Sequence, residues 1–440
     1  MSKYMEEFFG PYTEEDLAAG YNALAGGSVA TGMPITIVDQ KGATFTDTEG
    51  REYIDCTSQA WSLGIGACHP KVIAAVTEQI KHATHVRTGF GTIPKFLLCK
   101  RLTDIAPGNL KKVNFCLHGS LANEGAIKLA IRNRPGRRYF LTPWLGYAGR
   151  TLATMALSWP HPNNKFLYYM ENAIRFPHAY CYRCYFERTY PQCGLECAKF
   201  LRQMIENAID GEPAALIMEP VQGSGGMIDY PREYYHEIRK ICDDYGMLLI
   251  WDEIQTAFGR VGAMFAADLY GVVPDILTFG KSIGGGFPLA GTLVRDDLDG
   301  FGPGDHSFTF SHFPVAMAAG VVTLQILQEE QLPQRAAKVG AYITQRLREM
   351  QNKYELIGDV RGPGLMLGVE LVRNRKTKEP AVEETHRFIT EALKRGVLFG
   401  ESRYMGLGNV VKIKPPFMIS EAQVERVLEV FEEVTAMLSP

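Results

Sequence analysis

The stretch MLLIWDEIQTAFGR (Met247–Arg260) decides the reading of this chain. Five apolar residues run straight into Asp252 and Glu253. A short continuous apolar run is the mark of a strand buried on both faces. Such a strand should not end in two adjacent carboxylates without reason, because an unpaired buried charge is very costly. A positive partner is therefore expected at its carboxyl end.

Working outward, similar segments flank it. Upstream, KVNFCLHGS reads as a strand leading into the helix LANEGAIKLAIR, and AALIMEP reads as a strand closed by Glu219. The helix REYYHEIRKICDDY ends at Gly246, a usual helix-stopping residue. Downstream, DILTFG is a strand followed by Lys281 and the glycine run SIGGGFPLAG. Apolar strands alternating with helices predict an α/β fold, a mostly parallel sheet covered by helices. Ligands of such sheets sit beyond the carboxyl ends of the strands. Asp252, Glu253, Glu219, Gly119 and Lys281 should therefore converge on one edge. Gly119 and Ser120 open a helix, whose free N–H groups and dipole suit a phosphate. A strand-end lysine facing an aspartate and a phosphate turn suggests a Schiff base with pyridoxal phosphate, the aspartate being the pyridinium partner.

The chain has 440 residues, 46% hydrophobic, with a net charge of −3. That length predicts two domains: a large one over residues 66–320, and a smaller α+β one from residues 1–65 and 321–440. The near-balanced charge gives no sign of nucleic-acid or membrane-surface binding. The opening MSKYMEEFFGPYTEED is acidic and lacks an apolar segment, so no signal or transit peptide is expected. Nine irregularly spaced cysteines suggest a reducing, cytoplasmic setting. Helical periodicity places Val72, Ile73, Val76 and Ile80 on one face after Pro70. It turns Ala336, Val339, Ile343, Leu347 and Met350 of a helix Gln334–Tyr354 inward. Ser420 and Gln423 form a capping box before a final amphipathic helix. The segment ITIVDQKGATFTDTEGREYIDC alternates like a hairpin and could join the smaller lobe.

WDEIQTAFGR followed by DILTFGKSIGGGFPLAG resembles the signature of the class-III aminotransferases, pyridoxal-phosphate enzymes of fold type I. GREYIDCTSQAWSLGIGACHPKV, GSLANEGAIKLA, EPVQG and VKIKPPF resemble other segments of that family, so the likeness spans most of the chain. It implies pyridoxal 5′-phosphate bound as a Schiff base to Lys281, which would also move the proton between substrate and cofactor. Asp252 would keep the pyridine nitrogen protonated, and Gln255 would bond the ring oxygen. Ile254 and Tyr147 would pack on the two ring faces. Gly119 and Ser120 would hold the phosphate, and Glu219 would lie near the cofactor. Thr309, in SFTFSHFP, would reach the phosphate of a partner subunit, which implies a homodimer or dimer of dimers with shared sites. Arg260 is read as fixing its own loop.

Departures from the family pattern bear on substrate. Leu121 and Ala148 stand where an acid and a histidine are usual. Ser224 and Lys412 stand where many members place a glutamate and an arginine that guard the substrate carboxylate. A lysine is a point charge without a bidentate fork, which argues against tight α-carboxylate recognition. Trp61 is placed in the substrate channel, favouring an apolar or aromatic body. Cys181, Cys184, Cys193 and Cys197, spaced C-x2-C-x8-C-x3-C, are candidate metal ligands. The resemblance implies an aminotransferase with a ping-pong route between an amine or amino acid and an oxo acid. The alternatives are an amino-acid racemase or epimerase of the same family, and a non-catalytic pyridoxal-phosphate-binding protein.

Overall fold

Alternation over residues 37–55 produces three short antiparallel strands in the computed structural model of the chain: β1 (Ile37–Lys41), β2 (Thr44–Asp47) and β3 (Glu52–Asp55). The structure describes residues 7–24, 35–159, 172–402 and 407–439. The opening of the chain, read above as lacking a leader, lies partly outside them.

The middle of the chain supplies β4 (Leu110–Cys116), β5 (Tyr139–Pro143), β6 (Ala173–Phe176) and β7 (Pro213–Met218). A two-residue pair follows, β8 (Val221–Gln222) with β9 (Ile228–Asp229), then β10 (Leu248–Asp252), β11 (Ile276–Phe279) and β12 (Ala290–Arg295). Seven of these strands form one sheet in the order β4-β12-β11-β10-β7-β5-β6. Only β12 runs against its neighbours. Every residue of β7, β10 and β11 is buried. Alternate residues of β10 feed two separate cores, Leu249 and Trp251 on one face of the sheet, Leu248 and Ile250 on the other. That two-sided burial is why the run Met247–Trp251 carries no polar residue.

The C-terminal part adds β13 (Ile357–Arg361), β14 (Leu367–Asn374), β15 (Glu379–Pro380), β16 (Val397–Leu398), β17 (Gly400–Glu401) and β18 (Val410–Ile413). An antiparallel sheet runs β13-β14-β18-β17. β16 pairs in parallel with β3, so the N-terminal strands join a C-terminal segment. The final helix, Glu421–Leu438, starts at Ser420 with the expected capping box.

Two helical expectations need correction. In Pro70–His82 only Val72 and Val76 are buried, whereas Ile73 and Ile80 remain 43% and 49% exposed. The helix presents a narrower stripe to this chain's core than periodicity implied. The long helix is Leu332–Lys353 and buries Ala336, Ile343, Leu347 and Met350, with Val339 only partly covered.

Because the parallel strands share a direction, their carboxyl ends lie along one edge. Asp252 ends β10, Glu219 follows β7, and Lys281 follows β11 after Gly280. β4 leads through Leu117 and His118 into the helix Gly119–Asn133.

Candidate active site

A cavity of about 410 Å³ opens at that edge. Gly119, Ser120, Tyr147, Asp252, Ile254, Gln255 and Lys281 all line it, with His118, Ala148 and Gly149. Seven expected cofactor contacts from four separate stretches of sequence are thus brought together. The helix Gly119–Asn133 points its N-terminus here, and no side chain caps it. Ser120 Oγ accepts from Arg150 N at 3.1 Å. A Cβ at Gly149 would strike that hydroxyl, so glycine is required there.

Asp252 is 6% exposed. Its Oδ2 accepts from Asn123 Nδ2 at 2.7 Å and its Oδ1 from Ile254 N at 3.1 Å. Asn123 is itself fixed, donating to Ala148 O at 2.7 Å and accepting from Thr278 Oγ1 at 2.8 Å. Burial pushes the Asp252 carboxyl up, while the Asn123 bond and the Lys281 cation pull it down. Burial also lowers the Lys281 amine, against the pull of Asp252 and Glu219.

Glu219 sits one layer behind, in a crevice with Tyr147 and Asp252. Its carboxylate accepts from Tyr147 N at 2.9 Å, Gly223 N at 3.1 Å and Gln255 Nε2 at 3.4 Å. Burial first, and then the nearby Asp252, push it up to about 8. It therefore orders the segments that carry Tyr147 and Gln255. Glu253 faces away from the cavity and accepts from Ala266 N at 2.7 Å, Ala267 N at 3.0 Å and Thr256 Oγ1 at 3.0 Å. Arg260 is fully buried and ties loops together, donating to Leu365 O at 3.0 Å and Pro415 O at 2.7 Å and lying over the Phe417 ring.

Trp61 and Lys412 do not line the cavity but adjoin it through Lys281. The Nζ atoms of Lys281, Lys412 and Lys414 lie 5.9, 5.3 and 4.2 Å from the centre of the Trp61 ring. Burial lowers Lys412 to about 8, with Glu219 and Glu401 opposing. Thr309 is exposed and does not line the cavity of its own chain.

Asn123 and Lys414 were missed from sequence. Asn123 follows Ser120 by one helical turn, so its place on the same face was readable. Lys414 follows Lys412 by two residues, the period of a strand face. Cys181, Cys184, Cys193 and Cys197 are free thiols around a small cavity beside His178. Yet among the described residues no three His, Cys, Asp or Glu are arranged to hold a metal ion.

A family model described as aminotransferase class-III matches residues 27–435. The chain is similar to the leucine/methionine racemase of Thermococcus litoralis, at 36% identity over 93% of this chain and 92% of that protein. It is 35% identical to the acetylornithine aminotransferase of Methanothermobacter thermautotrophicus, over 93% and 95% of the two chains. Among solved structures it is similar to an amine transaminase from an uncultivated Pseudomonas species in its pyridoxal-phosphate-bound form. There the TM-score is 0.87 and the identity 32%, covering 94% of this chain and 98% of that one.

Proposed function

The chain belongs to the class-III aminotransferases, and from that premise we propose how its own residues serve the reaction. It is a pyridoxal-phosphate-dependent aminotransferase of fold type I, moving an amino group from an amine or amino acid to an oxo compound in two half-reactions. The donor set suits that cofactor: a buried carboxylate, an uncapped helix N-terminus and a lysine line one cavity. When bound, the cofactor supplies an electron sink that makes a substrate Cα proton removable.

Asp252 offers a buried negative charge to the pyridine nitrogen, held in place by Asn123 and the Ile254 amide. Gly119 and Ser120 offer backbone N–H groups and a hydroxyl to the phosphate. Tyr147 and Ile254 would flank the ring, and Gln255 would face its oxygen. Lys281 Nζ would anchor the cofactor covalently, and its free amine would take and return the substrate Cα proton. A lysine lowered by burial is suited to this, because its free amine is the base. The single observation that carries the assignment is Lys281 and Asp252 lining the same cavity. Lys281→Ala should cut turnover by at least ~10²–10⁴. Turnover within a few fold of wild type would assign the chemistry to another residue.

On the substrate side we assign Trp61 and Lys412, with a donor of apolar body and no strong α-carboxylate clamp. A second reading, amino-acid racemisation or epimerisation, is favoured by the likeness to a leucine/methionine racemase. An amino-donor screen run with and without an oxo acid, with chiral analysis, tests both points. Donors lacking a carboxylate should perform well, and inversion without oxo acid would favour the racemase. The domain division given above, a cytoplasmic setting and a homodimer complete the proposal. No helix among the described residues is long and apolar enough to cross a membrane. The exposed side chains Phe90, Ile93, Phe96, Leu97 and Phe310 support a second copy as the partner.

A further inference from the structure

Lys414 is fully buried just beyond β18. Its Nζ donates to Gln255 Oε1 at 2.8 Å and lies over the Trp61 ring. The charged groups facing it are Arg260, Lys281 and Lys412, all cations, and Glu219. Burial, and then those neighbouring cations, lower the Lys414 amine well below its usual value, and departures of that sort concentrate at functional sites.

What the lysine does follows from its chemistry. Lys414 Nζ donates to the oxygen of Gln255, whose amide has one accepting and one donating end. With Oε1 taken by Lys414, the NH₂ end of Gln255 is turned the other way, toward Glu219 Oε2 at 3.4 Å. A third side is closed by backbone, since a Cβ at Gly223 would collide with this amide. Gln255 also lines the cavity with Asp252 and Lys281. The amide is thus held by a donor at one end and an acceptor at the other, in one of its two orientations.

We propose that Lys414 is a positioning residue for the cofactor, fixing the Gln255 amide so that its donating end is the one available to the cavity. This rests on the reading that the cavity binds pyridoxal phosphate. A donor near the cofactor's ring oxygen stabilises its anionic form. Losing that donor favours the protonated form, so the pH midpoint of the bound cofactor's visible band should rise.

The test is a double-mutant cycle on that midpoint, using holoenzyme of wild type, Lys414→Met, Gln255→Met and the double variant. His118, Tyr147, Glu219, Asp252, Lys281 and Lys412 also face or adjoin the cavity, and all are kept constant across the cycle. Each single variant should raise the midpoint by about one pH unit, the size expected for loss of one charge-stabilising bond. The double variant should shift no further than the larger single one, because both remove the same interaction. An unchanged midpoint in folded Lys414→Met, or fully additive shifts, overturns the proposal. If Lys414→Met does not fold, Gln255→Met decides: an unchanged midpoint there overturns it too. Wild-type protein that takes up no pyridoxal phosphate would instead refute the reading of the cavity and leave no cofactor for Lys414 to position.

Discussion

At the scale of the residue, Asp252 and Glu253 are adjacent acids with unrelated partners. Asp252 lines the cavity, where the proposal pairs its carboxylate with a cofactor's pyridinium. Glu253 points back and accepts the first N–H groups of the helix Ala266–Tyr270, a placement favoured by the helix dipole. So the two carboxylates that end β10 answer to different needs, one chemical and one structural. Glu253 is fully buried, and that burial, working against its three donors, pushes it up to about 7 from 4.5. A carboxyl raised in the native state keeps its proton after the unfolded chain has released it. Its stabilising effect is therefore complete below about pH 4.5 and is lost as pH rises through about 7. Glu253→Gln should flatten that decline, read as unfolding free energy against pH. A slope identical to wild type across that window would show that Glu253 does not titrate there. Glu219, raised further to about 8, lets any residual slope continue upward.

At the scale of the element, β4, β7, β10 and β11 of the main sheet and the capped final helix announce themselves by apolar runs, a period of 3.6 and Ser420 three residues before Gln423, whereas β5, β6 and β12 were not read from the sequence. The turn Ser58–Trp61 gives no such sign. Its four residues have φ of +49°, +45°, +57° and +68°, although none is glycine. Left-handed backbone costs roughly 1–2 kcal/mol per L-residue, so tertiary bonds must hold it. Asp55 Oδ1 accepts from Thr57 N at 2.7 Å and its Oδ2 from Gln59 N at 2.8 Å. Ser58 Oγ donates to Lys414 O at 2.7 Å. These contacts join residues more than 350 positions apart in one case, which no local pattern reports. The same holds for Lys414, whose partner Gln255 lies 159 positions away. The turn's effect is to place Trp61 over three lysines. Ala60 is exposed at its crest. Glycine in an ordinary helix interior costs roughly 0.5–1 kcal/mol, but here it removes a Cβ from left-handed backbone. Ala60→Gly should therefore leave stability equal or raise it by up to ~1 kcal/mol. A clear drop in urea midpoint would mean the turn is not strained at this residue.

At the scale of the whole molecule, we propose a site completed by a second chain. Its cavity has no contribution from Thr309, which lies exposed in the segment Ser307–Pro314. The adjoining Phe310 is 49% exposed and its ring meets His85, tying this segment to the region of Phe90, Ile93 and Phe96, which are 60%, 76% and 62% exposed. Large apolar side chains grouped in this way mark a protein interface, and the proposal is that in a two-fold dimer each Thr309 serves the other chain's cavity. Complementation separates that arrangement from action within one chain. Thr309→Ala alone should weaken cofactor binding, since a bond to a charged phosphate contributes about 1.5–3 kcal/mol. Hybrid dimers, co-expressed from a Lys281→Ala chain and a Thr309→Ala chain and isolated with two tags, then decide. If Thr309 acts across the interface, both lesions fall on the site that lacks Lys281. The other site has its own Lys281 and the partner's intact threonine, so it works and retains cofactor as wild type does. If Thr309 serves its own chain, each hybrid carries one lesion in each site and neither recovers. Restored turnover with wild-type cofactor affinity in the hybrids supports the shared site. Hybrids no more active than the Thr309→Ala homodimer, or a wild-type chain that sediments as a fully active monomer, exclude it.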